Sequence, residues 1–168
     1  MSNKAFIGLG SNEGNPFQNI EKSIKILKTD GTLNLITTSS IYLSKPIGYE
    51  NQPDFMNAVC CVKSELSPLL ILKKLLSIEN FLGRKRTFKN APRCIDLDLL
   101  MYENIQQKID GPPSLILPHP EIHKRAFVLL PLVEIQPDCI IPGLGKAMDF
   151  IKNCKEQEIY LTKKKFSL

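Results

Sequence analysis

Two stretches with helical hydrophobic spacing, interleaved with short β-forming runs, constrain this chain more than any other feature. Ala5 to Leu9 is apolar and reads as a strand, and Gly10-Ser11-Asn12-Glu13-Gly14-Asn15-Pro16 carries turn residues. Phe17, Ile20, Ile24 and Leu27 then recur at helical spacing, which predicts a helix from about Pro16 to Thr29, ended by Gly31. Leu33 to Tyr42 is rich in Ile, Thr and Ser and reads as one strand. Lys45 to Pro53 is a loop, and Met56 to Val62 is a second β-rich run. Ser67-Pro68 opens a second helix, with Leu69, Leu72, Leu75, Leu76 and Glu79 in period, and Gly83 closes it. After a basic loop, Cys94 to Tyr102 reads as a strand. The order β-α-β-β-α-β is the ferredoxin-like signature, an α+β fold with one antiparallel sheet and helices on one face. Beyond it lie extra loops, an apolar helix from Ala126 to Glu134 in which Pro131 argues for a kink or a late start, a short helix from Ala147 to Lys155, and an edge strand at Ile159 to Leu161.

With 168 residues, 43% apolar and 23% charged, the expectation is a single domain spanning 1–168 with a real core. A net charge of +5 suits an anionic small molecule as well as nucleic acid. No window approaches the roughly 18 consecutive apolar residues of a membrane helix. Met1-Ser2-Asn3-Lys4 runs straight into a strand without a signal-peptide pattern, so a cytoplasmic protein is expected. The five cysteines are odd in number and lack C-x-x-C spacing. Cys60 and Cys61 would face opposite sides of a strand and could not share one metal ion, which favours buried, reduced thiols.

The sharpest chemical signal is Arg93-Cys94-Ile95-Asp96-Leu97-Asp98-Leu99-Leu100. On a strand, Asp96 and Asp98 share one face while Ile95, Leu97 and Leu99 share the other. Two hard carboxylates without Cys or His beside them suit Mg²⁺, which keeps waters and takes phosphate oxygens as further ligands. Such a pair can hold two cations about 4 Å apart. Arg84, Lys85, Arg86, Lys89 and Arg93 fall in one loop with no acid among them, a composition that calls for an anionic partner such as a phosphate chain.

Other phosphate devices are missing. Gly143-Leu144-Gly145-Lys146-Ala147 lacks the P-loop spacing, and Gly8-Leu9-Gly10 with Gly14 misplaces the third glycine of a dinucleotide fingerprint and reads as a tight turn. Pro118-His119-Pro120 holds His119 in a stiff loop, where it could donate to a phosphate. Phe55 beside Asn57, and Phe127 after Arg125, would suit a flat heterocycle between two rings with an amide reading its edge.

These residues together resemble the 6-hydroxymethyl-7,8-dihydropterin pyrophosphokinase family of folate biosynthesis. The likeness runs from about Ala5 to Pro142, through Gly8-Leu9-Gly10-Ser11-Asn12, Gln52-Pro53-Asp54-Phe55-Met56-Asn57-Ala58, Gly83-Arg84, Pro92 to Asp98, Leu117-Pro118-His119-Pro120 and Arg125-Ala126-Phe127. It implies a transferase that moves the pyrophosphoryl group of ATP to the pterin hydroxymethyl oxygen and releases AMP. By resemblance, Asp96 and Asp98 bind two Mg²⁺ ions and are catalytic together with Arg84 and Arg93. Arg84, Arg93, His119 and Arg125 match triphosphate contacts, and Glu79 matches a position near the ribose. Phe55 and Phe127 match the pterin sandwich, and Asn57, Ser44 and Ile47 match its edge contacts. The basic loop matches a mobile lid, but Lys89-Asn90 precede Ala91-Pro92-Arg93 where the family carries an Arg-Trp pair, and Ser114 replaces a basic position. The implied partners are small molecules only, ATP and the pterin, with no nucleic acid and no membrane, and a monomer is expected. The alternatives are an inactive relative that binds pterin or nucleotide, or an RNA-binding module. The latter lacks the aromatic K/R-G-F/Y-G/A-F-V-x-F/Y strand run.

Overall fold

The computed structural model describes residues 1–168. Strand β1 spans Asn3–Ser11, helix α1 Pro16–Thr29, β2 Asn34–Thr38, β3 Tyr42–Ser44, β4 Phe55–Ser64, helix α2 Pro68–Phe81 and β5 Asp96–Tyr102. A hairpin of β6 (Gln107–Ile109) and β7 (Leu115–Leu117) follows. Then come α3 (Ala126–Ile135), the short pair β8 (Ile140–Ile141) and β9 (Gly145–Lys146), α4 (Ala147–Ile151) and β10 (Ile159–Leu161). The main sheet is antiparallel in the order β10-β3-β4-β1-β5, with β2 also on β4.

Both leading helices start as their sequences dictate. Asn15 accepts from the Gln18 N–H and Ser67 from the Leu70 N–H, each followed by proline in the first turn. Ile20, Ile24 and Leu27 of α1, with Ile71, Leu75 and Ile78 of α2, bury one sheet face. That face is Ala5, Ile7 and Leu9 of β1, Ala58, Cys60 and Val62 of β4, and Leu97 and Leu99 of β5. The buried stripe of α2 is therefore shifted from the Leu69-Leu72-Leu76 spacing, leaving those three half-buried.

The single strand expected over Leu33 to Tyr42 is two. β2 pairs with Lys63 to Cys60, and β3 pairs with Asn57 to Phe55. At the break the Ser39 hydroxyl stands in for a ladder carbonyl and accepts from the Val59 N–H at 2.9 Å. Ser40 turns outward, its N–H and hydroxyl both donating to Glu134 of α3. Helices cover both faces of the sheet, because α3 and α4 close a second core. It joins Phe6, Val59, Cys61, Leu100 and Met101 to Ile122, Val128, Leu129 and Leu132. A register shift opposite Phe6 and Ile7 puts Leu100 and Met101 on the same side, so β5 feeds this core after its aspartates.

Pro131 sits inside α3 without ending it. The donor it removes would have served Phe127 in the first turn, and burial of Val128, Leu129 and Leu132 against the sheet offsets the loss. The last helix is shorter than expected, with a 3₁₀ turn taking over at Lys152–Cys154. The C-terminal edge strand forms on β3 as its sequence predicts. Gln157 just before it accepts from the Ala126 N–H at 2.8 Å and donates to the Lys124 carbonyl at 2.7 Å, capping α3. All five cysteines are free, with Cys60 and Cys61 in opposite cores and burial pushing both thiols up. No helix is long and apolar enough to cross a membrane.

Candidate active site

The second sheet face is apolar only toward the Phe6 end. At the other end Asn57, Gly10 and Asp96 lie side by side on β4, β1 and β5, with Val59, Gly8 and Asp98 as the next row. A cleft of about 760 Å³ opens over them. Its walls include Ser44, Ile47, Phe55, Asn57, Arg93, Asp96, Asp98, Arg125 and Phe127, so nine of the residues singled out in the sequence converge.

Gly83 adopts a left-handed conformation (φ 87°), which lets the Arg84 N–H return to the Glu79 carbonyl at 3.0 Å and end α2. The Arg84 guanidinium then lies 2.7 Å from Glu79 and 2.5 Å from Asp96. Arg93 reaches the other Asp96 oxygen at 2.7 Å. Burial alone would raise the Asp96 carboxyl, but the two guanidinium groups outweigh it and hold the group below the usual range. The Asp98 carboxylate makes no ion pair or hydrogen bond with the protein, although the residue pairs with Gly8 in the ladder. Burial, then the charge of Asp96, pushes its carboxyl up to about 7, and Arg125 only partly opposes this. Two carboxylates on one strand face are thus driven in opposite directions.

Arg84 and Arg93 also border a basic hollow of about 480 Å³ bounded by residues 84–93. Arg93 and Asn90 belong to the walls of both cavities and join them. The loop is tied down at both ends. Asn12, almost fully buried, exchanges two hydrogen bonds with the Arg93 backbone and donates to Gln52 and to the Pro53 carbonyl. Gln52 donates onward to the Tyr49 and Asn90 carbonyls. Tyr49 and Phe88 meet edge to face at 5.3 Å, joining the Lys45–Pro53 loop to the basic loop.

Phe55 and Phe127 each carry a guanidinium against the ring, Arg93 and Arg125 respectively, at 5.7 Å. The Asn57 amide has a fixed direction. Its NH₂ donates to the Ser44 hydroxyl at 2.8 Å and faces the Phe55 and Tyr42 carbonyls, so its oxygen is the group offered toward Gly10 and the cleft.

Two residues expected to contact ligand are not among the cleft walls. Glu79 is buried outside the cleft, where it accepts from the Leu97 N–H at 2.8 Å and pairs with Arg84 and Arg86. Burial raises its carboxyl, and the structure makes it the anchor of Arg84 instead of an open ribose acceptor. The His119 backbone N–H donates to the Leu100 carbonyl, and its Nδ1 accepts from the Glu121 N–H at 3.1 Å. Burial, then Arg125, lowers its imidazole, which keeps the ring neutral with the remaining proton on Nε2. Sequence reasoning missed Gly8, Gly10, Asn12, Gln52 and Asn90 as parts of the site. Gly8 and Gly10 belong to β1 and not to a tight turn.

A family model described as 7,8-dihydro-6-hydroxymethylpterin-pyrophosphokinase (HPPK) matches residues 6–137. The chain belongs to the HPPK family. A Haemophilus influenzae protein named 2-amino-4-hydroxy-6-hydroxymethyldihydropteridine pyrophosphokinase is 38% identical over 92% of this chain and 95% of its own length. A Bacillus subtilis protein of the same name is 39% identical over 80% of this chain and 79% of its own. The chain covers only 18% of a Pneumocystis carinii protein named folic acid synthesis protein fol1, with 42% identity. Among solved structures, an HPPK-DHPS chain in complex with substrates superposes with a TM-score of 0.74 at 16% identity, over 93% of this chain and 44% of that one. That likeness speaks for the fold, and the chain spans less than half of the solved polypeptide. The HPPK match takes in every element that builds the cleft except the Gln157 cap.

Proposed function

We propose that this protein transfers the terminal pyrophosphoryl group of ATP to the hydroxymethyl oxygen of 6-hydroxymethyl-7,8-dihydropterin and releases AMP, a step of tetrahydrofolate biosynthesis. The observation that carries the reading is the continuity of the two cavities. A basic hollow fit for a triphosphate opens at Asn90 and Arg93 into an aromatic-walled cleft with an oriented amide.

The donor set at Asp96 and Asp98 suits Mg²⁺. Both ligands are hard carboxylates on one strand face, and no third His, Cys, Asp or Glu joins them, so water and phosphate oxygens complete a shell. Asp96 and Asp98 would hold Mg²⁺, two ions by family resemblance, and the metal would supply charge neutralisation on the phosphate chain. The remaining work belongs to the protein. Arg84 and Arg93 present fork-shaped donors where the triphosphate lies, with Glu79 fixing the Arg84 head. Arg125 lines the cleft near Asp98, and neutral His119, next to Arg125 but not among the cleft walls, keeps an Nε2–H for a phosphate oxygen. Asn57 accepts from a ring N–H, and Phe55 and Phe127 hold the ring's faces. Phosphoryl-type transfer asks mainly for such positioning and charge stabilisation. The two loops joined at Gln52–Asn90 and Tyr49–Phe88 keep water from the phosphates. A single domain, acting as a cytoplasmic monomer, completes the reading.

Incubation with ATP, Mg²⁺ and the hydroxymethyldihydropterin tests it. The expected products are AMP and the pterin diphosphate in equal amounts. ADP as product, or AMP release that ignores the pterin, would overturn the assignment. Pterin binding without AMP would mark an inactive relative, and RNA retention with neither would mark a binding module.

A further inference from the structure

Strand β1 carries no side chain at the two positions where it crosses the cleft. Gly10 lies between Asn57 on one side and Asp96 on the other, and Gly8 lies between Val59 and Asp98. Both line the cavity. The usual reasons for a strand glycine are missing at Gly10. Its backbone is not left-handed, and a Cβ built there meets nothing closer than the Asn57 side-chain oxygen at 3.5 Å. At Gly8 the Cβ would touch the Leu100 side chain at 3.4 Å, a slightly tight fit against a flexible group. An interior glycine weakens a strand relative to alanine. Neither backbone geometry nor core packing offsets that cost at Gly10. The missing volume opens instead into a trough about 10 Å wide, two strand spacings from β4 to β5. The Asn57 acceptor stands on one bank and the unpartnered Asp98 carboxylate on the other.

We propose that Gly10 is a specificity-determining residue of this site. Its bare backbone is the floor over which one flat ligand lies across β1, with its amide-reading edge at Asn57 and its hydroxyl at the aspartates. A methyl group at Gly10 stands where that ligand passes and either lifts it or moves its hydroxyl away from the phosphate. This deepens the proposed function and rests on it. The ATP side, reached from the basic hollow, does not cross the floor.

The test is Gly10→Ala in the full chain, with Gly8→Ala beside it. Titration calorimetry measures pterin and Mg–ATP binding separately, and a thermal melt reports the fold. Gly10→Ala is expected to melt no lower than the wild type and to hold Mg–ATP within about twofold. It should bind the hydroxymethylpterin roughly tenfold or more weakly, as one methyl group forced into occupied space implies. Gly8→Ala, whose Cβ packs on Leu100, should lose less. Wild-type pterin affinity in Gly10→Ala overturns the proposal. So does an unfolded Gly10→Ala, which would show that the fold needs this glycine. A wild-type protein that binds no pterin removes the functional reading itself, a result visible before any variant is made.

Discussion

The two faces of the central sheet are built from the same strands and do opposite work. On one, Ile7, Cys60 and Leu99 meet α1 and α2 in an apolar core where the buried polar side chains of Ser23 and Glu79 are both hydrogen-bonded. On the other, the same strands present Asn57, Gly10, Asp96 and Asp98 to an open cleft, and apolar packing resumes only beyond Val59 and Leu100. Strand alternation therefore separates stability from chemistry residue by residue. The protein spends stability on the second face, where the half-buried Asp98 carboxylate has no partner within the protein.

The strongest way to sharpen this contrast is Asp98→Ala. Pterin-dependent AMP release should fall by roughly three powers of ten or more, with the circular dichroism spectrum unchanged. A variant that keeps its turnover would end the division of labour. On the dry face, Ile24→Ala should cost about 2–5 kcal/mol in a urea melt and leave the kinetics of the folded fraction close to wild type. A large loss of kcat there would show that the faces are not separable. Phe127→Ala should weaken pterin binding roughly tenfold and Mg–ATP binding far less, as measured by calorimetry.

The pH dependence follows from Asp98. Its folded value, about 7, is raised above the unfolded one. Its favourable contribution is thus complete below about pH 4, the unfolded value, and is lost as pH rises through 7. Asp98→Asn, which cannot ionise, should gain thermal stability over the wild type at pH 8 and much less at pH 5. The reverse order would contradict the burial argument. The smallest effect is expected from Phe88→Ala, which removes one edge-to-face contact between the loops. We expect a two- to tenfold rise, of about the size of one aromatic pair, in AMP formed without pterin diphosphate. Phe88→Tyr should restore the wild-type ratio.

What the sequence revealed and what it hid divide along local and long-range lines. The Asp96-Leu97-Asp98 alternation is a local period, and the structure places both carboxylates on one face as read. Both capped helices are equally local. The break at Ser39 to Ile41 was hidden, because Ile, Thr and Ser continue through it. What turns the chain there is Glu134, 94 residues from Ser40. Gly8 and Gly10 look like turn residues until β4 and β5 set their register. Glu79 falls in the right neighbourhood by sequence, yet whether its carboxylate faces a cleft or a backbone N–H depends on how α2 meets β5. The Asn12–Gln52–Asn90 relay joins three loops and leaves no periodic trace.

The side chain of Gln157 has a practical consequence for anyone shortening or tagging this protein. Cutting after Ile151 would spare every wall of the cleft and everything inside the 6–137 match. It would also strip the amide from the start of α3, whose first residues follow Arg125 and include Phe127, and remove the outermost strand beside Ser44. A trimmed version should therefore stay folded through its dry core while its grip on the heterocycle loosens, so the tail belongs in any fragment intended for assay.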